Sequence, residues 1–248
     1  MENQYNKLAE IYDYLMEHVD YEAWVNYVEE IMTNFHREGK KIVDVACGTG
    51  NTTLPFARRG YHAVGIDISQ GMLAKARQKA INLGLEVDFL EQDMRELQVD
   101  FAADIITCYQ DGLNYLLSSD ELVAVFKRVK ENLSPQGLFI FDLNAVEKLQ
   151  RSPGEITVID EERMTLIWEN NYDSDLDIWE IQLTGFIKKE EVYEKFKEVH
   201  QEKAYQTAEI ANYLKEANLR LLGVYHAFTL KEASNQTRRL CYVAEPMD

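Results

Sequence analysis

The sequence predicts an α/β protein, a mostly parallel β-sheet covered by helices and carrying an antiparallel β insertion. Two observations predict it. From residue 41 to 143 short apolar runs alternate with helical segments, and parallel strands need crossovers of that kind. The runs are apolar throughout, as in strands buried on both faces. Between residues 155 and 203 this rhythm gives way to period-2 segments joined by turns, which read as an antiparallel meander.

The elements follow in order. The first 40 residues read as two helices. Leu8, Ile11, Tyr12 and Leu15 recur at helical spacing, and Trp24, Val25, Val28, Ile31 and Met32 repeat the pattern. Asp20 is placed to cap the second helix and Gly39 to stop it. Residues 41–46 form a buried strand, 51–59 a helix and 61–66 a second strand. Residues 69–83 are helical, with Ser69 as cap, an apolar face of Met72, Leu73, Ala76, Ala80 and Leu83, and Gly84 as stop. Strands three, four and five are 86–90, 103–108 and 137–143, with a helix over 118–133. In the insertion, Val192, Glu194, Phe196, Glu198 and His200 share one face of a strand, and Tyr193, Lys195, Lys197 and Val199 share the other. The parallel pattern resumes with a helix at 207–217 and strands at 220–225 and 239–244. No linker interrupts it, so residues 1–248 read as one domain, with 1–40 as a helical cap and 155–203 as a built-in lid.

Charge and cysteines narrow the partners. The 248 residues hold 26 Lys and Arg against 43 Asp and Glu, a net charge of −17. Nucleic-acid affinity rests on cations that neutralise phosphates. A simple DNA or RNA binder is therefore not expected, nor is a protein held on anionic lipid by basic patches. Cys47, Cys108 and Cys241 are odd in number, far apart and form no Cys-x-x-Cys. That argues against a zinc site or disulfide framework and suits a reducing cytosol. Residues 1–5 are polar, and no apolar run reaches 18 residues, so neither a standard secretion signal nor a membrane span is expected. The expected protein is cytoplasmic, metal-free, a monomer or homodimer, with a small-molecule partner.

The strongest chemical signal is Val43-Asp44-Val45-Ala46-Cys47-Gly48-Thr49-Gly50-Asn51, where a buried strand ends in a glycine turn before a helix. Glycine lets the backbone bend tightly and approach a ligand, and a helix N-terminus favours an anionic group. A P-loop would need lysine after the turn, and the sequence gives Gly50-Asn51-Thr52. A dinucleotide fingerprint would need a third glycine, and position 53 is threonine. A nucleoside with a small charged tail, such as S-adenosylmethionine, remains, its carboxylate held by the turn and its ammonium facing Asp44. Asp67 ends strand two about 20 residues on, where a ribose-hydroxyl acceptor belongs. Asp93, in Gln92-Asp93-Met94, is placed to accept from an adenine amino group, with Ile68, Met72 and Met94 around the ring.

These residues resemble the class I S-adenosylmethionine-dependent methyltransferases. VDVACGTG, GIDISQGMLAKAR, the QDM turn and DIITCYQDGLNYL follow that family's order and spacing across residues 41–143. The resemblance implies a Rossmann-like sheet of seven strands in the order 3-2-1-4-5-7-6, the seventh antiparallel. It implies that Asp44, Ala46, Gly48 and Gly50 meet the methionyl end, Asp67 the ribose and Asp93 the adenine, with Tyr109 beside the methyl group. The N-terminal aromatics and the β insertion resemble a small-molecule subgroup that includes glycine and sugar-amine N-methyltransferases. By that resemblance Tyr12 and Trp24 would touch the cofactor.

Methyl transfer is an in-line displacement, so the enzyme mainly aligns donor and nucleophile. A base is needed only for a protonated acceptor. Asp111 is expected to receive an amine proton, Tyr115 to orient the acceptor, and His200 to act as base from the lid. The segment Tyr109-Gln110-Asp111-Gly112 lacks the Asn/Asp-Pro-Pro-aromatic loop that grips planar exocyclic amines. The alternatives are a NAD-linked oxidoreductase, disfavoured by Thr53, and a catalytically silent S-adenosylmethionine-binding module.

Overall fold

The structure is a computed structural model and describes Tyr5, residues 7–145 and residues 154–247. Its elements begin with a 3-10 turn at Leu8–Glu10, a single helical turn α1 (Tyr12–Leu15), and helix α2 (Tyr21–Asn34). Next come β1 (Lys41–Val45), α3 (Thr53–Arg58), β2 (His62–Asp67), α4 (Gln70–Leu83) and β3 (Asp88–Glu91). They are followed by β4 (Ala103–Cys108), α5 (Ser119–Asn132) and β5 (Leu133–Asn144). The insertion supplies β6 (Ile156–Glu161), β7 (Met164–Asp173), β8 (Ile178–Lys189) and β9 (Val192–Lys203). Helix α6 (Thr207–Glu216), β10 (Leu219–His226) and β11 (Arg239–Pro246) close the chain.

Seven strands form one sheet in the order β3-β2-β1-β4-β5-β11-β10. The first five are parallel, and β11 runs antiparallel to both neighbours. This is the seven-stranded order the resemblance implied. Alternate residues of each central strand enter different cores. Val43, Ile106, Phe139 and Phe141 face α5 and α6, while Ile42, Ile105, Leu138 and Ile140 face α2. Both faces are dry, so no polar alternation survives in the strand sequences. The register aligns Asp44 with Thr107 and Val45 with both Ile66 and Cys108. The carboxyl ends of β1, β2 and β4 therefore share one edge, where ligands bind in open α/β sheets.

The insertion is an antiparallel sheet in the order β6-β7-β8-β9. Met164, Leu166, Leu183, Ile187 and Phe196 point inward and pack on Leu8 and Ile11. Gly185 is where Phe196 crosses β8, and a Cβ there would lie 2.1 Å from the Phe196 ring. Gly185→Ala is expected to overpack this small core and cost about 1–3 kcal/mol, read as a lower urea midpoint at unchanged slope. An unchanged midpoint would show that the ring moves freely aside.

Three elements differ from expectation. The first helix is broken into a 3-10 turn and a single helical turn: Leu8 and Ile11 serve the insertion's core, Tyr12 packs against that core and also lines the pocket, and so short a segment has no stability of its own. Helix α2 is capped by Asp20, which accepts from Ala23 N–H, but it ends at Asn34, before Gly39. Gly39, at φ +133°, instead lets the chain pass Asp104, which accepts the Lys41 N–H at 3.0 Å. Helix α3 has six residues rather than the nine expected, so any helix-dipole contribution comes from little more than one turn. Among the described residues no helix is long and apolar enough to cross a membrane.

Candidate active site

The glycine turn is built as the sequence suggests. Ala46, Gly48 and Gly50 all have positive φ, at +56°, +54° and +76°. Gly50 is needed for a second reason: a Cβ would lie 2.9 Å from the Phe89 ring and 3.1 Å from Ala76 Cβ. Gly48 has open space above it, on the side of a cavity of about 250 Å³. Gly112 leaves room for Ala46, whose Cβ would be 2.9 Å from a Cβ on that glycine.

Carboxylates ring this cavity. Asp44 is buried and accepts from Thr53 Oγ1 at 2.6 Å and Thr107 Oγ1 at 2.9 Å. The threonine that spoils a dinucleotide fingerprint therefore holds the strand-end aspartate. Burial pushes the Asp44 carboxyl up to about 6, against the two threonine bonds. Asp67 accepts the N–H groups of Gly48 and Ser69, each at 2.8 Å, so it pins the glycine turn to the end of β2. Asp93 caps the short turn Met94–Glu96 and is forked by Arg95. The guanidinium holds its carboxyl below the usual range, burial acting the other way. Met72 and Met94 line the same cavity, with Ile68 at its rim, 55% exposed.

The far wall comes from the N-terminal segment and the loop after β4. Tyr12 donates to Gln110 Oε1 at 3.0 Å, and Tyr21, Tyr109 and Tyr115 stand beside it. Gln110 and Asp111 both have positive φ, which turns the loop back over the sheet edge. The Tyr5 and Tyr115 hydroxyls are hydrogen-bonded to each other.

Four expected site residues, Trp24, Gly50, Asp111 and His200, lie outside the cavity lining. Trp24 is buried in the core under α2, against Tyr109 at 4.4 Å and Phe228 at 4.3 Å, and outside the cavity lining. It backs the wall, and Tyr21, one turn earlier on α2, is the residue that lines it. Asp111 also lies outside the lining and is ion-paired to Arg239 at 2.8 Å. An amine proton finds no free carboxylate there. His200 is also outside the lining, buried behind Tyr5 and Tyr115. Sequence reasoning missed Thr53, Thr107, Gln110, Tyr21 and Arg239, since nothing local marks a threonine or arginine as facing a carboxylate across the sheet.

A parallel sheet whose strand ends bring Asp44, Asp67 and Asp93 around a glycine turn is the frame of a nucleoside-binding transferase. The comparisons make it specific. The family described as a methyltransferase domain matches residues 42–137. A proposed methyltransferase of Geobacillus sp. (strain WCH70) is 32% identical over 97% of this chain and 99% of its own. A crystal structure of an S-adenosylmethionine-dependent methyltransferase from Clostridium acetobutylicum ATCC 824 is 33% identical, covers 99% of this chain and 100% of its own, and superposes with a TM-score of 0.89. The chain belongs to the class I S-adenosylmethionine-dependent methyltransferases. More distantly, a dTDP-amino-sugar N,N-dimethyltransferase of Streptomyces venezuelae is 26% identical over 54% of this chain and 56% of its own. A sugar N-methyltransferase from Streptoalloteichus sp ATCC 53650 shares the fold, at 17% identity over all of this chain and 94% of its own, with a TM-score of 0.80.

The donor set fits this cofactor. Among the described residues, Asp44, Asp67, Asp93 and Glu121 line the cavity against one cation, Arg95, which is itself paired with Asp93 and Glu121. Such a lining suits a ligand carrying a sulfonium and an ammonium and repels a dinucleotide's diphosphate. S-adenosylmethionine supplies the methyl group, and the protein's part is to hold and align.

The Asp44 shift gives a test by pH. Its proton is held more tightly in the fold than in the unfolded chain, where carboxyls titrate near ~3.9. Its contribution to stability is therefore present below about pH 4 and lost as pH rises through about 6. A cationic ligand beside it favours the ionised form. Binding of S-adenosylhomocysteine, which keeps the ammonium, is expected to release a proton below about pH 6 and to weaken up to about tenfold per pH unit lower. Calorimetry in buffers of different ionisation heat reads this. Asp44→Asn should abolish the proton release, and an unaltered release in that variant would assign it to another group.

Proposed function

We propose that this enzyme transfers the methyl group to the amine nitrogen of a small molecule. The observation that carries this is the shape of the cavity. Besides the glycine turn, it is lined by Tyr5, Tyr12, Tyr115, Leu116, Leu117 and Gln201, so the N-terminal segment, the loop after β4 and β9 all contribute to its wall. A site roofed in this way suits a compact acceptor. In this reading residues 1–40 are a cap and 155–203 a lid on a single domain.

Asp44, Ala46, Gly48 and Gly50 hold the methionyl end, Asp67 the ribose and Asp93 the adenine, with Ile68, Met72 and Met94 packing the ring. Tyr12 and Tyr109 flank the sulfonium, Tyr115 orients the acceptor, and His200 is the base. The named amino-sugar relatives support an amine acceptor. Charge supports it too: residues 1–40 carry −6 and residues 155–203 carry −8 of the total −17. Most of the negative field therefore surrounds the entrance, which favours a neutral or cationic acceptor. No nucleic-acid partner, a cytoplasmic location and a monomer or homodimer complete the reading.

An acceptor screen that detects S-adenosylhomocysteine tests it. Turnover is expected with a small amine. Efficient turnover only with a strongly anionic acceptor, or with RNA, would sink the reading.

A further inference from the structure

Strand β9 carries ionisable side chains behind the cavity wall that Tyr5 and Tyr115 form. Glu198, His200 and Glu202 occupy alternate positions and share its inner face. All three are buried, at 8%, 3% and 5% exposure. Two carboxylates and an imidazole are costly to bury unless each is partnered. Glu198 accepts the N–H groups of Tyr5 at 3.1 Å and Leu8 at 3.3 Å, and its Oε2 lies 3.2 Å from His200 Nε2. Burial pushes the Glu198 carboxyl up, and its bonds with His200, Leu8 and Tyr5 outweigh this and leave it below the usual range. Glu202 faces Asn144 Nδ2 at 3.4 Å.

His200 is different. An ionised Glu198 only accepts, so Nε2 donates to it, and in the neutral imidazole the lone pair then sits on Nδ1. That Nδ1 is buried and has no hydrogen-bond partner among the described residues. The imidazole ring lies 4.7 Å from the Tyr5 ring and 6.1 Å from the Tyr115 ring, and both tyrosines line the cavity. A buried ring nitrogen beside two cavity-lining tyrosines is placed to accept from a donor.

We propose that the Glu198–His200–Glu202 row receives the acceptor as an alkylammonium cation, and that His200 Nδ1 takes its proton. This rests on the amine reading above. The acceptor's N–H bond breaks and its proton passes to Nδ1. The electron pair left on nitrogen forms the new N–C bond to the methyl carbon, while the pair of the breaking C–S bond stays on sulfur as a neutral thioether. Glu198 is a positioning residue: it fixes the ring's tautomer and stabilises the imidazolium. Its hold on Tyr5 and Leu8 also ties the N-terminal segment to the strand that carries the base. Glu202, whose charge is felt at the Tyr5 and Tyr115 hydroxyls, supplies the second negative charge. Facing His200 are Glu198 and Glu202 from β9, Tyr5 from the N-terminal segment and Tyr115 from the loop after β4, while β8 pairs it with Ile181. None of these is a cation.

The test uses the full chain with 15N-labelled histidine, loaded with S-adenosylhomocysteine. It is titrated with cyclohexylammonium or with cyclohexanol, the same ring without the charge. The nitrogen signals of His200 are expected to show the Nε2–H tautomer, and its Nδ1 signal should move with cyclohexylammonium but not with cyclohexanol. Glu202→Gln should weaken the ammonium about tenfold. Glu198→Ala should release a mixture of tautomers, and Glu198→Gln, which keeps an acceptor oxygen, should restore the Nε2–H form. An Nδ1–H tautomer in the unaltered protein, an equal response to both probes, or no response to either overturns the proposal. The amine reading fails separately, if the acceptor screen finds turnover with hydroxyl or carbon acceptors alone.

Discussion

Arg239→Met is expected to remove about 3–5 kcal/mol of folding stability, because it strands a buried charge. Arg239 lies on β11 beside β5, and its guanidinium contacts both Asp142 and Asp111. Asp142 has no exposed surface. Burial acts to lower the Arg239 proton affinity, but the two carboxylates outweigh it and hold the guanidinium charged. Asp142 also accepts the Asp111 N–H at 3.2 Å. The triad therefore fixes the loop that presents Tyr109 and Gln110 to the cavity. Methionine fills the space and leaves two carboxylates facing each other. The loss should shrink in acid, where Asp142 takes up a proton and the repulsion disappears. Adding Asp142→Leu should recover much of the stability, since an apolar pair of similar volume often replaces a buried ion pair without loss. Urea unfolding measures all three, and a loss under about 1 kcal/mol for Arg239→Met alone would mean that water reaches the triad.

Asp67→Ala is expected to weaken S-adenosylhomocysteine binding about 10–100-fold, from charged hydrogen bonds worth about 1.5–3 kcal/mol. Two effects combine. In the proposed reading the ribose loses an acceptor, and the Gly48 and Ser69 N–H groups lose the carboxylate that holds both. The Gly48 end of the turn is then free to drift from the end of β2. Asp67→Asn keeps one acceptor oxygen and should fall between. Calorimetry at constant pH reads the affinities, while unfolding curves check that the sheet is intact. Unchanged affinity in Asp67→Ala would remove this residue from the site.

The parallel sheet was legible because its signals are local and repetitive. Residues such as Ile105, Ile106, Phe139, Ile140 and Phe141 must be apolar in succession when both faces are dry. Ser69 and Asp20 were legible as caps, since a helix start leaves N–H groups that the adjacent side chain satisfies. The broken first helix was not legible, because helical spacing does not show that Tyr12 must serve the insertion's core and reach Gln110 at the pocket as well. Asp111 misled for a related reason. A carboxylate on the loop expected beside the methyl group reads as a base, while the residue that engages it lies 128 positions away.

By itself, then, the sequence determined the sheet, the glycine turn, the strand-end carboxylates and, through the resemblance, the cofactor. Each of these is encoded within a few residues, by burial on two faces or by the bond geometry of a tight turn. Only the tertiary structure decided what each carboxylate faces. It gave Asp44 two threonines, Asp67 two backbone N–H groups and Asp111 an arginine, and it set His200 between Glu198 and two tyrosines. Whether an ionisable group is held, neutralised or left open to a ligand depends on distances across the sheet, and linear spacing does not contain them.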